Sequence, residues 1–289
     1  MSAALERNLR RHVECLAGGI GERHVWRPAA LRAAEAFIHD QWAAQGYEVA
    51  RQAYTTHGVE SSNLEVTVPG RSRAGEVVVV GAHYDTVPGS PGANDNASGV
   101  AALLEIARVL RETRPARTIR LVAFVNEEPP FFYFGEMGSQ VYARAARRRG
   151  DDVRAMLSLE TLGYYSDAPG SQAYPPLFRF FYPDRGNFVA FVSNLRSRRV
   201  LGEVVAAFKA SSDFPAERLA SPGLVPGVSW SDHLSFWRAG YPGIMVTDTA
   251  FYRYPYYHAS GDMPDELNYP AMARVVAGLQ GAIAILAGA

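Results

Sequence analysis

The chain contains a single cysteine, Cys15, among 289 residues, so no intramolecular disulfide can form and a disulfide framework is excluded. Cys15 stands among the apolar positions of a helical segment and reads as a core or half-buried thiol rather than a nucleophile. A surplus of one charge is also missing, since 29 Lys and Arg face 29 Asp and Glu. Nucleic-acid binders carry a basic excess, and no P-loop pattern for phosphate occurs. The local cluster of Arg144, Arg147, Arg148 and Arg149 reads as a solvated helix end, where cations suit the helix dipole. Apolar runs are broken by Gly or charge well short of a membrane span. The run 271–289 carries Arg274 and several small residues and reads as a buried packing helix. The charged residues 1–11 are followed by no signal-length apolar core, so the expectation is no secretory signal and a cytoplasmic location.

What is present is enough apolar material, 48% of residues, for a large core. Helical periodicity covers residues 3–17 and 29–45, and Leu31, Ala34, Phe37 and Trp42 share a face in the second. Residues 47–55 and 62–68 alternate as strands do. Residues 76–82 and 118–125 form continuous apolar runs suited to strands buried on both faces, and 153–160, 188–193 and 243–248 repeat the theme. Helices are expected at 97–112, 137–148, 197–210, 232–239 and 269–287. The alternation of strand and helix predicts an α/β fold, a three-layer αβα sandwich around a mostly parallel, mixed sheet. The whole of 1–289 reads as one domain, with a Pro-, Gly- and aromatic-rich excursion at 166–187.

The polar residues of interest cluster just past the ends of the buried strands: His83 and Asp85, Glu127 and Glu128, and Glu160. In open α/β sheets that edge is where ligands bind. His83 and Asp85, two apart in an extended segment, point the same way, so Asp85 can fix the imidazole as the outer partner of a metal-bound histidine. Asp95 sits in the small-residue segment Gly92-Ala-Asn-Asp-Asn-Ala-Ser-Gly99, where Asp95 or Asn96 suits the cap of the following helix. Both roles fit together if Asn96 caps while Asp95 faces a metal. The adjacent Glu127 and Glu128 repel each other and point in different directions, so one can ligate while its neighbour handles protons. His233 reads as a structural residue, and His258 lies in a tyrosine-rich loop.

In this order, His83-x-Asp85, Gly-Ala-Asn-Asp95-Asn-Ala-Ser-Gly, Glu127-Glu128, Glu160 and Tyr257-His258 resemble the M28 family of zinc aminopeptidases, from about Asn63 to Asn268. The resemblance implies that Asp95 bridges two Zn²⁺ ions, with His83 and Glu160 completing one site and Glu128 and His258 the other. It implies Glu127 as general base, Asp85 as orienter of His83 and Tyr257 as a partner of the carbonyl oxyanion. Glu160 departs from the aspartate that many members carry there and is longer by one methylene. Imidazole and carboxylate donors suit zinc, with manganese or cobalt as substitutes. The implied activity is removal of N-terminal residues from peptides with a free N-terminus, by attack of a metal-activated hydroxide on the peptide carbonyl. Phe131, Phe132, Tyr164, Tyr165, Tyr252 and Tyr256 suggest an apolar pocket for the first side chain. The rival readings are a single-zinc glutaminyl cyclase, a carboxypeptidase or small-amide hydrolase using Arg253, and a binding protein without catalysis. No nucleic-acid or membrane partner is expected.

Overall fold

A computed structural model of the protein describes residues 2–289 apart from Tyr133 and Gly135. Eight strands form one sheet. Its centre is parallel: β4 (Arg117–Phe124), β3 (Arg73–His83), β5 (Asp152–Glu160) and β8 (Gly243–Thr247) lie side by side. β1 (Ala50–Thr56) and β2 (Val59–Val68) make a hairpin whose second strand runs antiparallel to β4. At the other edge β6 (Val189–Ser193) is antiparallel to β8 and carries β7 (Ala216–Ala220) in parallel.

The valine run explains why β3 lies at the centre. Strand side chains alternate between faces, so Val78 and Val80 enter the larger core while Val77 and Val79 enter a second one on the opposite face. The larger core is roofed by α1 (Ser2–Val13), α2 (Pro28–Ala44), α3 (Gly99–Leu110), α5 (Arg198–Ser211) and α7 (Tyr269–Ala287). The opposite face is covered by α4 (Gly138–Arg149) and α6 (His233–Arg238), which bring Tyr142, Ala143, Ala146 and Phe236. These are the three layers expected. Gly81 on β3 is required by close packing, because a Cβ there would stand 2.2 Å from the Phe124 ring. By length and composition alone α7 is apolar enough to cross a membrane, but here Val275, Val276, Leu279 and Ile283 are fully buried against the rest of the chain.

β7 was not foreseen. Its sequence, Ala-Glu-Arg-Leu-Ala, is half-exposed along its length, as an edge strand is, and has no apolar run to announce it. On the second face at β6 and β8, Phe188, Ala190, Val192 and Met245 meet Val228, Tyr174 and Trp237, so the excursion and the loop before α6 share the cover with Trp237 of α6.

The N-terminal helix is locked to α3 through a buried carboxylate. Glu105, 1% exposed, accepts hydrogen bonds from Asn8 (3.2 Å) and Arg108 (2.9 Å) and lies 3.4 Å from His12 Nε2. Burial opposes its ionisation, but the bonds from His12, Asn8 and Arg108 outweigh burial and hold the carboxyl below its ordinary value. A folded value below the unfolded one gives stability that is full above the ordinary carboxylate range and lost as pH falls through the folded value. Glu105→Gln is therefore expected to cost about 1–3 kcal/mol at neutral pH and to flatten the acid side of the stability curve, as urea unfolding between pH 3 and 7 would record. An unchanged acid limb would show that Glu105 does not couple stability to pH.

Candidate metal centre

The parallel strands β4, β3, β5 and β8 end on the same edge of the sheet, and their last residues or the loops after them deliver the polar groups. His83 is the final residue of β3 and Glu160 that of β5, while Glu127 and Glu128 follow β4. His83 Nδ1 lies 3.2 Å from the Asp85 carbonyl oxygen. Facing a carbonyl, that nitrogen donates, which leaves the lone pair of a neutral ring on Nε2. The Asp85 carboxylate is 3.6 Å from the ring, but its hydrogen bonds come from the backbone N–H groups of Glu127 (3.0 Å) and Glu128 (3.1 Å). Asp85 thus touches the imidazole mainly through its backbone and uses its side chain to position the two glutamates, a role not foreseen for it.

Asp95 leaves helical geometry, with φ −112° and ψ 89°, and its backbone is held from outside the loop. Asp262 accepts from the amides of Asn94 (2.7 Å) and Asp95 (3.1 Å) and from the Tyr254 hydroxyl (2.8 Å). Asn96 accepts from Gly99 N (3.0 Å), capping α3, and also ties to Thr161 N and the Leu159 carbonyl beside Glu160. The cap and the inward-facing carboxylate thus coexist on neighbouring residues. Ser231 donates to Glu160 Oε2 at 2.7 Å.

The side chains converge. His83 Nε2 lies 3.1 Å from Asp95 Oδ1 and 3.4 Å from Glu160 Oε2. His258 Nε2 lies 3.1 Å from Asp95 Oδ2 and 3.3 Å from Glu128 Oε2. Two donor sets result, His83–Asp95–Glu160 and Asp95–Glu128–His258, and Glu127 joins His83 and Glu128 in a third grouping. His83 Nε2, Asp95 Oδ1 and Glu128 Oε1 are buried without a hydrogen-bond partner. Buried polar atoms are almost always satisfied, so unsatisfied atoms on residues that share these donor sets, whose ligand atoms lie within 4.8 Å of one another, fit a divalent cation. The structure brings His83, Asp85, Asp95, Glu127, Glu128, Glu160 and His258 together, and Tyr257 stacks on the His258 ring with centroids 3.9 Å apart.

Crowded carboxylates in a dry site perturb one another. Burial, reinforced by Glu128, Glu160 and Asp232 against the pull of His83, pushes the Glu127 carboxyl well above its ordinary range. Burial and Asp95 move Glu128 up to about 7. Asp95 goes the other way, because His258 and His83 outweigh its burial. Asp232 carries no signal in the sequence. It is fully buried, and burial, against the pull of His83 and a hydrogen bond from Ser139, raises its carboxyl to about 7. Its neighbour His233 is structural as expected, with Nε2 2.9 Å from the Val228 carbonyl and its ring edge-on to Trp237. Burial brings its pKa down to about 4.

An apolar cavity opens beside the centre, with Glu160 and Tyr257 at its inner end and Tyr174, Phe178, Trp230, Phe251 and Tyr252 among its walls. Most of the aromatics expected there lie elsewhere. Phe131 and Tyr165 are buried in the larger core with Phe132 against it, and Tyr164 and Tyr256 flank Tyr254. Arg253 is structural, donating to Gln172 (2.8 Å) and the Phe188 carbonyl (2.9 Å).

With this geometry in view, the family model of peptidase family M28 matches residues 63–282. The chain belongs to peptidase family M28. A protein of Escherichia coli K12, "Uncharacterized protein YfbL", is 46% identical over 214 residues, which are 71% of this chain and 65% of that one. The solved structure titled "The structure of BSAP, a zinc aminopeptidase from Bacillus subtilis" superposes with TM-score 0.77 at 16% identity, covering 98% of this chain and 95% of that one. A Fimbriiglobus ruber glutaminyl cyclase structure does so with TM-score 0.73 at 20% identity, covering 97% and 95%. At those identities the likeness establishes the M28 fold and leaves the chemistry to the site. The matches span 56–65% of the length of the first curated relatives, among them proteins named leucine aminopeptidase and probable zinc metalloprotease.

Proposed function

We propose that this chain is a zinc-dependent peptidase that removes N-terminal residues from peptides, with two metal ions. The observation that carries the reading is the pair of donor sets that share Asp95 at the strand-end edge, with His83 Nε2, Asp95 Oδ1 and Glu128 Oε1 buried and without a hydrogen bond. One ion would be held by His83, Asp95 and Glu160, the other by Asp95, Glu128 and His258. The charges balance, since the three carboxylates and one hydroxide offset two divalent ions. When bound, zinc polarises a carbonyl and brings the pKa of water to about 7.

The chain's own groups supply the remainder. Glu127 accepts the proton of the attacking water and passes it to the leaving amine. Tyr257, stacked on His258, would donate its hydroxyl to the oxyanion. The buried carboxylates attract the substrate's free α-ammonium, which directs cleavage to the N-terminus. Relatives named leucine aminopeptidase support the same chemistry.

The cavity supports an apolar first residue. Its walls are mainly aromatic and aliphatic, with Glu160, Glu217 and Arg218 as the charged members of the lining. Leu, Met and Phe at the first position are expected to exceed Lys and Glu by about 10–100-fold in kcat/KM, the scale on which a hydrophobic pocket discriminates. A panel of aminoacyl p-nitroanilides measures this, and equal rates for lysine would remove the cavity from specificity.

The deciding experiment is hydrolysis of leucine p-nitroanilide with added zinc, with a chelator, and against its N-acetylated form. Chelator-sensitive cleavage of the free amine alone is expected. Pyroglutamate released from a glutamine-initiated peptide, with no cleavage of the anilide, would identify cyclase chemistry instead.

A further inference from the structure

Arg23 lies before the segment that matches the family, yet its side chain is fully buried next to the metal ligands. The guanidinium makes no ion pair within 4 Å among the described residues. It donates instead to backbone carbonyls: Nε to Tyr84 (2.6 Å), Nη1 to Pro91 (2.6 Å), Gly21 (2.9 Å) and Leu16 (3.3 Å), and Nη2 to Gly92 (3.0 Å). The Arg23 backbone pairs with Thr86 in both directions, donating to Oγ1 at 3.1 Å and accepting from Thr86 N at 3.0 Å.

These acceptors have a pattern. Tyr84 follows His83, and Gly92 stands three residues before Asp95, so one planar fork grips both ends of the loop that separates two metal ligands. Asp85, which seats Glu127 and Glu128, lies within the gripped segment. Gly92 completes the arrangement. Its φ is +66°, and a Cβ at this position would stand 2.4 Å from both the Asp95 carbonyl oxygen and Thr86 Cγ2, which leaves no room for a side chain. A loop free at either end would let the ligand spacing drift, and metal affinity depends on that spacing.

We propose that Arg23 is a positioning residue for the metal centre, its guanidinium tying the two ends of the 84–92 loop and so fixing His83 and Asp85 relative to Asp95. The fork is what matters, because lysine carries the charge without the fixed planar array of donors. Burial lowers the Arg23 pKa to about 10, while Asp262, Asp85, Asp95 and Glu128 favour its charge, so it stays cationic at neutral pH. A cation near the centre opposes metal binding by charge alone. A role through charge would therefore make zinc bind more tightly when Arg23 is neutralised, and a role through the fork predicts the reverse.

This inference rests on the metal reading proposed above, and the experiment separates the two. Zinc affinity is measured by competition with a chromogenic chelator for wild type, Arg23→Lys, Arg23→Gln and Thr86→Val, together with the rise in Tm that saturating zinc produces. Wild type is expected to bind zinc. Both Arg23 variants are expected to bind at least tenfold more weakly, with a smaller zinc-induced rise in Tm, and Thr86→Val two- to fivefold more weakly. If the Arg23 variants do not fold, Thr86→Val decides. A drop in Tm that is equal with and without zinc, at unchanged affinity, would make Arg23 a purely structural residue. Tighter binding by Arg23→Gln would assign its effect to charge. A wild type that binds no zinc would overturn the metal reading itself.

Discussion

Glu127→Gln is expected to keep its zinc and lose about 10²–10⁴-fold in kcat, the usual contribution of a positioned base. The geometry separates it from its neighbour. Glu128 Oε2 stands 3.3 Å from His258 Nε2, whereas Glu127 Oε2, though grouped with His83 and Glu128, stands 4.0 Å from His83 Nε2. Asp85 holds the backbone of both residues, so changing the Glu127 side chain leaves the Glu128 position intact. A second effect follows from electrostatics. Burial and the carboxylates of Glu128, Glu160 and Asp232 disfavour an ionised Glu127 more than His83 favours it. Replacing it by a neutral amide removes that conflict, so the metal-stripped variant is expected to melt above wild type, the exchange of stability for activity seen at functional sites. Elemental analysis, anilide hydrolysis and thermal melts test all three statements. Loss of zinc in the variant would make Glu127 a ligand, and near-normal turnover would remove it as the base.

The site was largely legible because its residues sit where one-dimensional signals are strongest. The Val77–Val80 run marks β3 without ambiguity, and a polar residue ending such a run must emerge at the sheet's edge. His83, Glu127, Glu128 and Glu160 are all of this kind. The small-residue surroundings of Asp95 suit a cap or a ligand alike, and its place among the ligands came from the resemblance to the M28 family. The supporting residues carry no such mark. Asp262 reads as part of a turn, and Arg23 as one charge in a polar stretch. Both act on backbone groups more than sixty residues away, a relation that exists only after α1 and α2 have packed on α3. The same reason defeated the aromatics. Phe131 and Phe132 are close to the site in sequence but pack into the core, while Tyr174 and Phe178 reach the cavity from a segment with no periodicity to show its direction. β7 escaped because a five-residue edge strand with Glu217 and Arg218 at its centre has the composition of a loop.

Asp95→Asn is expected to abolish activity and to weaken zinc binding by more than the roughly 10–100-fold that loss of an outer-shell partner costs. Asp95 is the carboxylate that reaches both histidines, Oδ1 to His83 and Oδ2 to His258, each at 3.1 Å. Asparagine keeps the shape but replaces one oxygen by an amide nitrogen, which cannot ligate, so at most one donor set survives. The fold should persist, because the loop is held by Asp262 on the Asp95 amide and by Asn96 on β5 rather than by the Asp95 side chain. The metal-stripped variant is nonetheless expected to melt below wild type, the opposite of Glu127→Gln. The two histidines favour ionised Asp95 by more than burial disfavours it, so neutralising it forfeits an attraction, where neutralising Glu127 relieves a repulsion. Two isosteric carboxylate-to-amide changes in one site, both inactivating, should therefore shift Tm in opposite directions before zinc is added. Shifts of the same sign would show that crowding among the carboxylates does not govern the metal-stripped site, and retention of two zinc ions by Asp95→Asn would show that Asp95 does not bridge them.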